Sequence, residues 1–167
     1  RKDHTYLTVE QLFRLADESG ERRTMVLVLG LCGLRWGEMA GLHVDDVDFV
    51  RHRLNVRRSA TTVGHGVVVD LPKSGETRRV VSPGVLDGPL RAQCGGRECG
   101  EPLFPAPDGG YLVRTAQPND RTKWFWWAKR RAGVPAGLTY HDLRHPAASL
   151  MVRSGANVKA IQNQLGH

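Results

Sequence analysis

Apolar positions follow a helical period at both ends of the chain and a two-residue period in the middle. Over Thr8–Ser19, Val9, Leu12, Phe13, Leu15 and Ala16 form one apolar stripe. Thr8 is placed to cap this helix, Gln11 completes a capping box, and Gly20 supplies the stop. Glu21–Cys32 reads as a second helix, apolar nearly all round from Met25 onward, so it should be central and buried. Between Val44 and Ser82 the period changes. Val47-Asp48-Phe49 leads into Arg53–Arg57; Val67–Leu71 and Arg78–Val81 follow, joined by the Gly-bearing turn Pro72–Thr77. The pattern predicts a three-stranded antiparallel sheet with Lys73 at the tip of its last hairpin. A short helix is expected around Val85–Ala92. The Gly/Pro-rich loop Cys94–Pro107 comes next, anchored by Leu103-Phe104. Three more helices are predicted: Asn119–Ala132, capped by Asn119 or Asp120; His141–Ser154, ended by Gly155; and Asn157–Leu165, capped by Asn157. The expected fold class is α+β, mostly α-helical, with a small three-stranded antiparallel sheet.

The length of 167 residues suits one domain, or one large and one small unit. A net charge of +7 favours a polyanionic partner, nucleic acid ahead of an anionic membrane surface. No run approaches the ~20 apolar residues of a spanning helix, and Arg1-Lys2-Asp3-His4 is not followed by a signal-peptide core. The chain therefore reads as cytoplasmic, without a membrane partner. Three cysteines, an odd number, argue against a disulfide framework. Cys94 and Cys99 lack the second ligand pair of a structural zinc site.

The candidate chemistry is spread over four places. His141 and Arg144, three residues apart, share a helical face, where a guanidinium fork beside an imidazole suits a phosphate. Arg35 follows the buried helix between Gly33 and Gly37, with Glu38 placed to hold its guanidinium. Lys73 is a long cation on a turn, and His167 closes Leu165-Gly166-His167. Singly, each has an ordinary reading: a solvated face, a surface ion pair, a solubilising turn lysine. Their order is what narrows the choice.

Four segments carry a resemblance: Gly33-Leu34-Arg35-Trp36-Gly37-Glu38; Pro72-Lys73-Ser74-Gly75 with Thr77 and Arg79; His141-Asp142-Leu143-Arg144-His145; and Leu165-Gly166-His167. From Thr8 onward the chain resembles the catalytic domain of the tyrosine recombinase, or phage integrase, family, and so the DNA breaking-rejoining enzyme fold. The resemblance implies a site-specific recombinase in which a tyrosine hydroxyl attacks a DNA phosphate. A 3′-phosphotyrosyl link and a free 5′-hydroxyl result, and that hydroxyl attacks the partner strand's link. It assigns Arg35 and Arg144 to clamping the non-bridging oxygens, Lys73 to protonating the leaving 5′-oxygen, His141 to acid/base work and His167 to donating a hydrogen bond to the phosphate. Glu38 orients the cluster from behind. Two arginines and a lysine take the place of a divalent ion, so no metal and no cofactor are expected. Double-stranded DNA is the expected partner, with a homotetramer on paired sites for the whole protein, a monomer for the fragment, and a bacterial or phage-encoded, nucleoid-associated setting. Charge clustering nominates Arg57, Arg58, Lys73, Arg121 and Lys123 for phosphate contacts.

The chain departs from the family pattern twice. Tyr6, Tyr111 and Tyr140 all precede Leu165-Gly166-His167, whereas the family places its nucleophile after that motif. Residues 1–7 are accordingly read as the linker from a missing N-terminal DNA-binding domain and 8–167 as a C-terminally truncated catalytic domain that binds DNA but does not cleave it. Pro146 falls inside the helix predicted from His141, so that helix either starts near His145 or kinks. Two rival readings stand beside this one. An inactive relative would keep the clamp for binding alone. A metal-dependent nuclease would use His141, His145, Asp142 and His167 as ligands but leaves Arg35 and Lys73 without a role.

Overall fold

The computed structural model describes residues 6–73, 75–114 and 123–166. Helix α1 spans Val9–Asp17; the Thr8 hydroxyl accepts from the Gln11 N–H at 3.1 Å and the Gln11 side chain accepts from the Thr8 N–H at 2.8 Å, the predicted capping box. A 3-10 turn over Gly20–Arg22 leads into α2, Arg23–Cys32. Met25–Cys32 are all buried, as their all-round apolar pattern requires. Leu12, Leu15, Leu27 and Leu29 have no exposed surface, and burial of each such side chain contributes about 1.5–3 kcal/mol. Helix α2 is the spine, packed against α1 on one side and against the segment from Asp142 to Arg153 on the other.

Helix α3, Trp36–Ala40, lies on the strand Ser59–Val63; a side chain at Gly37 would come within 2.4 Å of the Ser59 hydroxyl. The strands are β1 Val47–Asp48, β2 Arg53–Val56, β3 Ser59–Val63, β4 Gly66–Asp70 and β5 Arg78–Val81. All pairings among them are antiparallel. A three-stranded sheet exists, but its order is β1-β2-β5, while β3 and β4 form a separate hairpin in register Ser59↔Asp70 to Val63↔Gly66. This corrects the expected strand membership: Val67–Leu71 does not pair with Arg78–Val81. Lys73 sits in the connection between two sheets, not at a hairpin tip. The Thr-bearing segment Ser59-Ala60-Thr61-Thr62-Val63 shows no strong two-residue alternation, so β4's partner was missed.

Helix α4, Asp87–Cys94, is extended at its start by a 3-10 turn at Gly84–Leu86. Leu103 and Phe104 are buried and pin the following loop. Helix α5 spans Trp124–Ala132; Lys123 before it is extended, so the helix starts later than Asn119 or Asp120, which lie outside the described residues. Of its aromatics, Phe125 is buried and Trp127 exposed. Asp142–Arg144 forms a 3-10 turn, and α6 runs from His145 to Arg153 with Pro146 in its first turn, where its missing N–H leaves no bond broken. The first alternative for Pro146 holds: the helix starts at His145. Helix α7, Val158–Leu165, is capped by the Asn157 side chain accepting from the Ala160 N–H at 2.9 Å. Cys32, Cys94 and Cys99 are free thiols, and burial pushes that of Cys32 up to about 12. Among the described residues no helix is long and apolar enough to cross a membrane.

Candidate active site

The cluster is assembled at chain ends of regular elements. Helix α2 ends at Gly33 in the left-handed conformation (φ 70°), which frees the Gly33 carbonyl from the helix ladder. That carbonyl accepts from Arg144 Nε at 2.8 Å. Arg144 Nη2 donates to the Leu165 carbonyl. Two residues past Gly33, Arg35 Nη2 donates to the Gly166 carbonyl at 2.8 Å. Two guanidiniums from distant segments thus hold consecutive carbonyls at the end of α7. This end is also left-handed: Gly166 has φ 69°, and a Cβ there would lie 2.8 Å from Arg78 Cζ and 3.2 Å from Arg35 Nη1. The glycine of the Leu165-Gly166 pair is required both by backbone angle and by room for two guanidiniums.

Glu38, 1% exposed, is the carboxylate at the centre. Its Oε2 accepts from the Arg35 backbone N–H at 2.8 Å and its Oε1 from Arg35 Nη1 at 3.1 Å. Arg78, the first residue of β5, binds the same carboxylate with both terminal nitrogens, at 2.6 and 2.9 Å. Burial alone would push the Glu38 carboxyl up, but the hydrogen bonds and charge of Arg78, followed by those of Arg35, hold it below its usual range. Burial lowers Arg144 to about 10, with the nearby Arg35 adding to the effect, so it stays cationic at neutral pH. Sequence reasoning selected Glu38 and Arg35 but missed Arg78. The available signal was a strand pair Arg78-Arg79 after the Lys73 turn; which of the two turns inward depends on strand register.

His141 opens the 3-10 turn that carries Arg144, so the two are brought near each other by a tighter turn than the predicted helical face. The turn is fixed by Asp142, whose Oδ2 accepts from the Thr139 N–H at 2.8 Å and from the Thr139 hydroxyl at 2.7 Å. Burial, then the charge of Arg144, pull the His141 imidazole below its usual value, favouring the neutral ring at pH 7. His141, Arg35 and Lys73 line one cleft of about 320 Å³ together with Trp36, Ser59–Thr62, Arg114 and Tyr140. Arg144 is not among the residues lining that cleft and is 6% exposed. Tyr140, buried in the core, stacks on Phe125 with centroids 4.3 Å apart and meets the Trp36 ring at a tilt, 4.4 Å away. His167 lies outside the described residues, as does Arg121.

The nominated DNA contacts differ in setting. Lys73 and Lys123 are exposed. Arg57 and Arg58 are both engaged by the fully buried Asp46, each at 2.8 Å, and Arg58 also donates to the Gly41 carbonyl at 3.3 Å. His145 lies 3.9 Å from Asp142, and among the described residues no three His, Cys, Asp or Glu side chains gather as a metal site would require.

Comparison with known proteins bears on the family and the fold. The phage integrase family model matches residues 99–167. The integrase of Mycobacterium phage L5 is 32% identical over 99% of this chain, and the tyrosine recombinase XerA of Thermococcus kodakarensis is 31% identical over 87%. The chain spans 46% of the length of each of these relatives. Among solved structures, the Tn1549 transposon integrase in complex with a circular intermediate DNA superposes over all of this chain and 59% of its own, with a TM-score of 0.80 at 20% identity. The fold and these relatives agree: the chain belongs to the phage integrase family of tyrosine recombinases and has the fold of their catalytic domain.

Proposed function

We propose that this domain carries out the strand cleavage and rejoining of a site-specific recombinase acting on double-stranded DNA, as part of a longer chain. One observation carries the reading: Arg35 and Arg144, 109 positions apart in sequence, are fixed on consecutive carbonyls of the Leu165–Gly166 turn, beside a cleft that Lys73 and His141 line. Preorganised donors of this kind stabilise the charge that develops on phosphoryl oxygens without reorganising during the reaction.

The roles follow from chemistry and placement. Arg35 and Arg144 bind the non-bridging oxygens. Lys73, exposed on the connection between the sheets, delivers a proton to the leaving 5′-oxygen. His141, neutral at pH 7, accepts the proton of the attacking hydroxyl, and His167 donates to the phosphate. Glu38 keeps Arg35 and Arg78 oriented. The nucleophile is a tyrosine hydroxyl, whose attack on the phosphate forms the covalent protein–DNA link. Lys123 and Arg121 add phosphate contacts. The chemistry uses no metal or cofactor, and the complete protein acts as a tetramer on two DNA sites.

The test uses the complete chain, incubated with a nicked suicide DNA substrate in EDTA. A covalent protein–DNA band that is lost in Arg35→Ala and Arg144→Ala is the expected result. A band that vanishes on chelation alone, or one that survives both substitutions, overturns the proposal. DNA binding without any covalent product on the protein's own site marks an inactive relative.

A further inference from the structure

The cluster's arginines all depend on where the end of α7 sits, and one side chain outside the predicted set fixes that position. Gln164 is 5% exposed although it lies on the last turn of a short surface helix. Its carboxamide makes three hydrogen bonds. Nε2 donates to the Cys32 carbonyl at 3.1 Å and to the Val81 carbonyl at 3.1 Å, and Oε1 accepts from the Val81 N–H at 2.9 Å. Strand β5 is an edge of its sheet, pairing with β2 on one side. On the other side the Gln164 amide meets the Val81 peptide group as a neighbouring strand would, donor to acceptor and acceptor to donor. The Gln164 backbone carbonyl in turn faces Arg78 Nε at 3.5 Å.

These contacts join three segments, each carrying part of the cluster. Cys32 immediately precedes Gly33, whose carbonyl holds Arg144. Val81 closes the strand that begins at Arg78. Gln164 itself precedes Leu165 and Gly166, the acceptors of Arg144 and Arg35. We propose that Gln164 is a positioning residue for the strand-transfer reaction: its carboxamide sets the register between the Leu165–Gly166 turn, the end of α2 and β5, and through them the spacing of the arginine clamp. An apolar residue of similar size would keep α7 packed. It would leave the Val81 N–H and two carbonyls unpaired, and the turn would slide to reduce that cost. A displacement on the order of 1 Å at such a site can lower a rate about 100-fold with little effect on binding.

The kinetic arm of the test rests on the proposed function; the spectroscopic arm does not. In the complete chain, Gln164→Met is expected to lower the rate of covalent complex formation about 10- to 100-fold, while the DNA dissociation constant stays within about threefold. Gln164→Glu keeps the shape but, when ionised, sets a carboxylate against two carbonyls. Protonated, it regains one donor, so its rate relative to the parent protein rises as pH falls from 8 to 6. A merely structural contact would shift the melting temperature without this pH-dependent recovery. Independently of cleavage, arginine side-chain NMR should show a slowly exchanging Arg144 Nε–H in the parent protein and rapid exchange in Gln164→Met, with core amides of α2 still protected. Parent-like rates and parent-like Arg144 exchange in Gln164→Met overturn the inference. If the parent protein forms no covalent complex, the proposed function fails and the exchange measurement alone decides the role of Gln164. Should Gln164→Met lose its fold, the Arg144 Nε–H exchange rate of Q164E divided by that of the parent protein at the same pH carries the same decision: a ratio equal at pH 8 and pH 6 overturns it.

Discussion

Two buried carboxylates in this molecule each hold a pair of arginines, and they do opposite things. Glu38 binds Arg35 and Arg78; Asp46 binds Arg57 and Arg58. Both carboxylates are essentially without exposed surface. Around Asp46 the charges balance, because Asp45 also faces Arg57 at 3.6 Å and Asp46 Oδ2 further accepts from the His43 N–H at 2.8 Å. That knot ties the loop after α3 to the end of β2 and leaves no surplus charge. Around Glu38 the balance is broken by Arg144, whose pKa is lowered first by burial and then by the charges of Arg35 and Arg78. Two guanidiniums share the carboxylate, and the third, Arg144, is held by the Gly33 and Leu165 carbonyls alone. The motif of an acid between two arginines is common to both; surplus positive charge beside a cleft sets the Glu38 cluster apart from the Asp46 tie.

Substitutions should separate the two knots. Glu38→Ala and Asp46→Ala each leave arginines without their carboxylate, at an expected cost of about 3–5 kcal/mol in urea unfolding. Only the first should abolish covalent complex formation at temperatures where both variants remain folded; equal loss from both would erase the distinction. Gly166→Ala comes next. Adopting φ 69° costs an alanine about 1–2 kcal/mol, and its Cβ would push against Arg78 and Arg35. The expected signature is a drop in cleavage larger than the drop in stability, read from single-turnover rates beside a urea curve.

The acid limb of stability sharpens the comparison further. Glu38 has its folded value held below the unfolded one, so its contribution is complete above about pH 4.5 and is lost as pH falls through the folded value. Urea midpoints measured from pH 6 to pH 3 should therefore fall more steeply in the parent protein than in Glu38→Gln; parallel slopes would remove this carboxylate from the acid response. Arg57→Ala should show the smallest effect. Its side chain is 45% exposed, so a loss of about 1 kcal/mol or less is expected, with a slightly shallower salt dependence of DNA binding as the only functional trace.

What the sequence revealed was local. Thr8 with Gln11, the all-apolar run Met25–Leu29, and Asn157 before α7 act over three or four residues, and each appears in the structure as read. Arg35, Lys73 and His141 were found by motif and meet at one cleft. The failures share a cause, which is separation along the chain. Val67–Leu71 announces a strand but not its partner, and the partner was the Thr-bearing segment Ser59–Val63. Arg78 reads as one of two consecutive strand arginines until Glu38, 40 positions away, selects it. Gln164 reads as a polar residue on an exposed helix until Cys32 and Val81 claim its amide. Pro146 is the intermediate case: the sequence posed the question of where α6 begins, and packing answered it.

The end of α2 has a wider consequence. A helix that is apolar on every side ends in the carbonyl that grips Arg144. The greasy interior is therefore also the ruler of the charged cluster. Any drift in core side-chain volume that slides this rod along its axis is read out as misaligned guanidiniums before it is read out as unfolding. Substitutions that repack the interior must therefore keep the Gly33 carbonyl in place as well as preserve the stability of the fold.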